Sequence, residues 1–229
     1  MKFTTKELGR AGLDLAVPFQ VDAYLDGSGG DKEGIDTTVN FTSIARNFPN
    51  RRVSGIAEVD GGTVFAKIFY GRQARRYWQR EFRGAGLIAT SEAPSPNLMG
   101  QGTTADGVGY VVLYQALVDA AGLSDGSHVE ISAAVRCLAR LHDTDLIQTD
   151  PHLNNFIRCK GVVYAVDFDG LKRTEVLQQQ FKNLGALLAQ RAPEYDNEIE
   201  EIWRAYADQR GESVQQMGSL EVIKNHTLH

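Results

Sequence analysis

The stretch Leu141–Arg158, L-H-D-T-D-L-I-Q-T-D-P-H-L-N-N-F-I-R, sets Asn155 five residues after Asp150, directly beyond a region of helical periodicity. An acid and an amide at this spacing arise often by chance, so the flanking sequence decides the reading. Upstream, Ser127-x-x-Glu130 has the form of a capping box. Ile131, Val135, Leu138 and Leu141 then fall on one helical face, which predicts a helix of about 14 residues. Downstream, V-V-Y-A-V (162–166) predicts an apolar strand that delivers Asp167 at its end, within D-F-D (167–169).

Two carboxylates and an amide on neighbouring loops suit phosphoryl transfer. The reaction needs a carboxylate near the attacking hydroxyl and hard oxygen ligands that hold magnesium against phosphates. Asp150 would supply the first, and Asn155 with Asp167 the second.

Working outward, R-V-S-G-I-A-E-V from Arg52, the turn Asp60-Gly61-Gly62 and T-V-F-A-K-I-F-Y from Thr63 predict a β-hairpin with Lys67 inside its second strand. Residues 72–88 read as a helix in which Glu81 is the only acid between Arg72 and Glu92. Gly109–Leu117 reads as a buried strand. Later helices are predicted by Leu177, Phe181, Leu184 and Leu188, and by Ile199, Ile202, Trp203 and Tyr206. The expected fold class is therefore α+β and bilobal: an extension of residues 1–40 without assigned chemistry, a β-rich lobe over 41–115, and a small α-rich lobe over 116–229. Within the extension, Gly27–Gly34 reads as a loop or hairpin connection. L-E-V-I-K-N-H-T-L-H (220–229) carries no closing signal, so the second lobe is expected to be cut short.

The 229 residues suffice for a real core, and a net charge of -5 argues against general nucleic-acid binding. No 18-residue apolar run occurs, and the N-terminus carries charge where a signal peptide would be apolar. With two cysteines outside any metal-ligand spacing, Cys137 and Cys159, a reducing cytoplasm is expected. Against the acidic total, Arg72, Arg75, Arg76, Arg80 and Arg83 crowd into twelve residues, with Tyr77 and Trp78 among them.

V-F-A-K-I-F-Y, R-E-F-R, L-A-R-L-H-D, D-P-H-L-N-N-F, A-V-D-F-D and N-L-G-A-L-L, spread from about Arg52 to Tyr206, resemble the lipopolysaccharide core kinases that phosphorylate heptose or Kdo (3-deoxy-manno-octulosonic acid). These enzymes are distant relatives of the protein kinases. The resemblance implies a bilobal protein-kinase-like fold, with ATP and Mg2+ as cofactors and transfer of the γ-phosphate to a sugar hydroxyl. It makes Asp150 the catalytic Asp, Asn155 and Asp167 the metal ligands, and Lys67 with Glu81 the phosphate-orienting ion pair. The adenine would meet the strand end at Gln115 and Leu117, and Arg72, Arg76, Arg80 and His152 are substrate candidates. The implied partner is the lipopolysaccharide core or its lipid A-core precursor, met by a cytoplasmic protein in peripheral contact with the anionic inner membrane.

This sequence departs from the kinase pattern in three ways. Gln148-Thr149 stands where a histidine usually precedes the catalytic Asp, no glycine-rich phosphate loop precedes Lys67, and no long activation segment follows Asp169. A choline- or aminoglycoside-type small-molecule kinase and a pseudokinase binding module share the same polar residues.

Overall fold

The computed structural model describes residues 1–26, 34–123, 127–189 and 199–211. They divide into two units, one comprising Met1–Phe82 and Pro96–Leu117 and the other Arg83–Ser95 and Val118 onward. The 220–229 tail lies outside the described residues, as does all of the 27–34 connection except Gly34.

The first unit opens with helix α1 (Thr5–Ala11), followed by strands β1 (Phe19–Leu25), β2 (Ile35–Phe41), β3 (Arg46–Phe48), β4 (Arg52–Val59) and β5 (Gly62–Phe69). Helix α2 (Ala74–Ile88) runs across the division, and β6 (Leu98–Thr104) and β7 (Tyr110–Gln115) complete the unit. The predicted hairpin is present as β4–β5, turning through the left-handed residues Asp60 and Gly61. The sheet runs β2-β1-β6-β7-β5-β4-β3, and β2 also pairs with β4, so six of its strands close into an antiparallel barrel. Two of those six strands come from the first 41 residues. β1 and β2 thus lie in the same sheet as the strands read as the β-rich lobe.

Alternation sorts the strands' side chains. Val64, Ala66 and Ile68 of β5 and Val111 and Leu113 of β7 join Phe19, Val39 and Phe41 in the buried cluster, where the Phe19 and Phe41 rings stack at 4.6 Å. Lys67, Val112 and Tyr114 take the opposite parity. β6 had no strand signal because its sequence, L-M-G-Q-G-T-T, carries two glycines. The second of these is required by packing, since a methyl group at Gly102 would stand 1.8 Å from the Tyr24 carbonyl oxygen of β1.

The second unit contains β8 (Ala121–Gly122), α3 (His128–His142), β9 (Leu146–Gln148), β10 (Phe156–Cys159), β11 (Val162–Ala165), β12 (Leu171–Arg173), α4 (Leu177–Leu188) and α5 (Ile199–Gln209). In α3 the predicted face is buried at Ile131, Val135, Leu138 and Leu141, each worth roughly 2 kcal/mol on leaving water. The capping box does not form. Ser127 has an extended N-cap backbone without a side-chain cap bond, and Glu130 pairs instead with Arg158 at 2.8 Å. Phe181, Leu184 and Leu188 of α4 and Ile202, Trp203 and Tyr206 of α5 are buried, whereas Leu177, at the first turn of α4, is exposed. Both cysteines are free and buried.

Candidate active site

In the second unit, four short strands hold two loops side by side. Asp150 and Asn155 lie between β9 and β10, and Asp167 lies between β11 and β12. β9 pairs with β12 and β10 with β11, so each loop is hydrogen-bonded to the other at both ends. Thr149 N–H donates to the Gly170 carbonyl and Val166 N–H to the Asn155 carbonyl, both at 2.8 Å. This ladder places Asn155 beside Val166, one residue before Asp167.

The side chains follow from that frame. Asn155 closes a single 3-10 turn (Leu153–Asn155), and its Nδ2 donates to the Asp150 main-chain carbonyl at 3.0 Å. With the amide nitrogen so engaged, Oδ1 is the atom with lone pairs to offer a cation. Asp167 has φ 67 and ψ 82, in the left-handed region that aspartate enters with less penalty than most residues. Asp150 is exposed, while Asn155 and Asp167 are half-buried. His152 is also exposed and caps the turn, its Nδ1 accepting from Asn154 N–H at 3.1 Å.

The end of α2 that belongs to the second unit, from Arg83 onward, packs on the second loop. A methyl group at Gly84 would stand 1.8 Å from the Phe168 carbonyl oxygen, so helix and loop meet at a distance that only glycine allows.

The Asp150 loop is also tethered from within the unit. Asn183 Nδ2 donates to the Gln148 carbonyl, and Asn183 Oδ1 lies 3.1 Å from His142 Nε2. An amide oxygen only accepts, so Nε2 carries the proton and Nδ1 accepts from the Tyr206 hydroxyl, which in turn accepts from Arg210 Nη1 at 3.0 Å. From the sequence alone these side chains had no role, although His142 lies in L-A-R-L-H-D and Asn183 opens N-L-G-A-L-L.

Burial pushes the His142 pKa down to about 3, whereas the unfolded chain titrates near 6.5. Between these values the unfolded chain takes up a proton that the folded chain excludes. Stability should therefore fall as pH drops below about 6.5, by up to ~1.4 kcal/mol per unit. Urea titrations of the parent and of His142→Gln at about pH 7 and about pH 5 check this, the variant losing less over the interval.

In the first unit, Lys67 Nζ lies 2.7 Å from Glu81 Oε1, with their side chains 7% and 0% exposed. The pair expected from sequence is thus formed and buried. Gln115 N–H donates to the Asn97 carbonyl at 2.8 Å, which leaves the backbone of Ala116 and Leu117 beyond the last ladder position of β7.

Arg72 lies in the turn before α2, while Arg76 and Arg80 are on the helix; Arg72, Arg75 and Arg76 are exposed and Arg80 is half-buried. The neighbouring aromatics are engaged within the unit. Tyr77 lies under the Arg51 guanidinium at 4.4 Å, and Trp78 stacks on Tyr110 at 4.8 Å and on Phe82 at 5.9 Å.

Asn155 Oδ1 and the Asp167 carboxylate are hard oxygen donors of the kind magnesium takes. Among the described residues no three His, Cys, Asp or Glu side chains gather into a group that could hold a metal.

The fold is protein-kinase-like. The chain is similar to a rhoptry kinase from Toxoplasma gondii, with TM-score 0.59 at 12% identity over 99% of this chain and 89% of that one. It is also similar to WaaP in complex with acyl carrier protein, with TM-score 0.55 at 14% identity over 81% and 87%. No family model and no curated protein matches the chain.

Proposed function

We propose that the protein is an ATP-dependent phosphotransferase acting on a sugar hydroxyl of the lipopolysaccharide inner core, Kdo or heptose. The observation that carries the reading is the double ladder that sets Asn155 beside the Asp167 loop, together with the Asn155 amide on the Asp150 main-chain carbonyl. Magnesium-ATP supplies the transferable phosphoryl group and neutralises its charge. Asn155 and Asp167 would hold the metal, Lys67, oriented by Glu81, would bind the α- and β-phosphates, and the backbone from Gln115 to Leu117 would receive the adenine edge. Asp150 takes the acceptor hydroxyl's proton as the acceptor oxygen bonds to phosphorus and the bond to the ADP oxygen breaks.

The acceptor assignment rests on the sequence resemblance and on local charge. Arg72, Arg76 and Arg80 stand in an acidic protein and can each grip phosphate or carboxylate with a two-pronged guanidinium, and His152 borders the Asp150 loop. The engaged aromatics leave this contact to the arginines. Among the described residues no helix is long and apolar enough to cross a membrane, so an anionic bilayer would be met at its surface.

The test has two arms. Labelled phosphate should move from magnesium-ATP to purified inner-core acceptor, and mass spectrometry of core oligosaccharide should show one phosphate fewer in cells lacking the protein. Charge reversal at Arg76 and Arg80 should abolish acceptor binding, which in the parent weakens steeply as salt shortens the Debye length below about 10 Å, and should leave ATP affinity unchanged. Transfer to choline or aminoglycosides alone would move the protein to the small-molecule kinases, and no transfer to any acceptor would make it a binding module.

A further inference from the structure

The Lys67–Glu81 pair has a third member. Tyr114 Oη donates to Glu81 Oε1 at 2.7 Å, the same oxygen that Lys67 Nζ meets at 2.7 Å, and Lys67 Nζ lies 5.5 Å from the centre of the Tyr114 ring. The placement follows from strand register. Lys67 pairs with Val112, and Phe65 pairs with Tyr114, so Lys67 and Tyr114 are diagonal neighbours on the sheet face opposite the barrel core. Glu81 reaches that face from α2. All three residues are more than nine-tenths buried, and Glu81 Oε2 is buried without a hydrogen-bond partner.

Glutamate has three rotatable bonds, and half a turn of its carboxylate exchanges the two oxygens. A lone lysine leaves such a group free to swing, and the lysine swings with it. Two donors arriving at one oxygen from different strands pin the carboxylate at a fixed point. We propose that Tyr114 is a positioning residue that locks Glu81, and through it Lys67, in the geometry that receives the nucleotide's phosphates. This deepens the phosphotransferase reading and rests on it. On this account the ion pair is assembled before the nucleotide arrives and needs no separate activating event.

The experiment compares the parent with Tyr114→Phe, which keeps the ring and removes only the hydroxyl. Binding of ATP in excess chelator and binding of adenosine are measured by titration, with circular dichroism confirming that each variant is folded. Tyr114→Phe should weaken ATP about tenfold, equivalent to about 1.4 kcal/mol, and leave adenosine unchanged. In a Lys67→Met background the same substitution should have no further effect on ATP, because the positioned group is gone. Equal weakening of ATP and adenosine would show a merely structural role and overturn the proposal, as would ATP binding at the parent's strength. A parent that binds no ATP would overturn the phosphotransferase reading itself, which separates the two failures.

Discussion

Asp150→Asn should lower turnover by about two to four orders of magnitude, the loss of roughly 3–5 kcal/mol of transition-state stabilisation, while folding and ATP affinity stay near the parent's. The basis for selective damage is local. The loop is held through main-chain atoms, by the Asn155 amide on the Asp150 carbonyl and by the Thr149–Gly170 bond, and the exposed Asp150 side chain takes no part in either contact. An amide of the same size therefore changes the chemistry and leaves the frame. Single-turnover phosphate transfer with the variant checks this, and a variant as fast as the parent would remove Asp150 from the reaction.

Lys67→Ala should destabilise the first unit by about 3–5 kcal/mol, because it leaves the Glu81 carboxylate buried without its counter-ion. The same substitution should weaken ATP with and without magnesium, whereas Asp167→Ala should weaken chiefly the magnesium form. Urea titration reads the stability term as a lower midpoint at unchanged slope. The double variant Lys67→Ala/Glu81→Leu should regain much of the stability and none of the nucleotide affinity, since an apolar side chain of similar size carries no desolvation cost. Recovery of binding in that double variant would contradict a phosphate-contacting role for Lys67.

Much of this site was legible in the sequence because its signals are local. Asp150 and Asn155 lie on one loop, Asp167 ends a readable apolar strand, and Lys67 lies in a hairpin announced by its turn residues. Glu81 could be chosen because its helix offered one acid. What was not legible depends on contacts between distant segments. The closure of the sheet by β1 and β2 is such a contact, since nothing in residues 19–41 says that β6 and β4 will be their respective partners. Tyr114 reads as one more apolar strand residue until the register with β5 is known. The Ser127–Glu130 signal failed for the converse reason, a long-range ion pair with Arg158 having taken the acid that the local motif required.

Barrel closure also bears on how the gene could be cut. An open sheet offers two long rows of unpaired peptide groups, whereas here β2 joins β4 at Asn40 and Phe41 and β1 joins β6 at Ala23–Leu25, which links the ends of the sheet. A fragment beginning near residue 42, the boundary that a reading of the catalytic motifs would suggest, would strip two adjacent staves from the ring. Gly102–Thr104 of β6 and Ala57 and Glu58 of β4 would then lose their partners, and such a fragment invites intermolecular strand addition and insolubility even though every residue assigned to chemistry is retained.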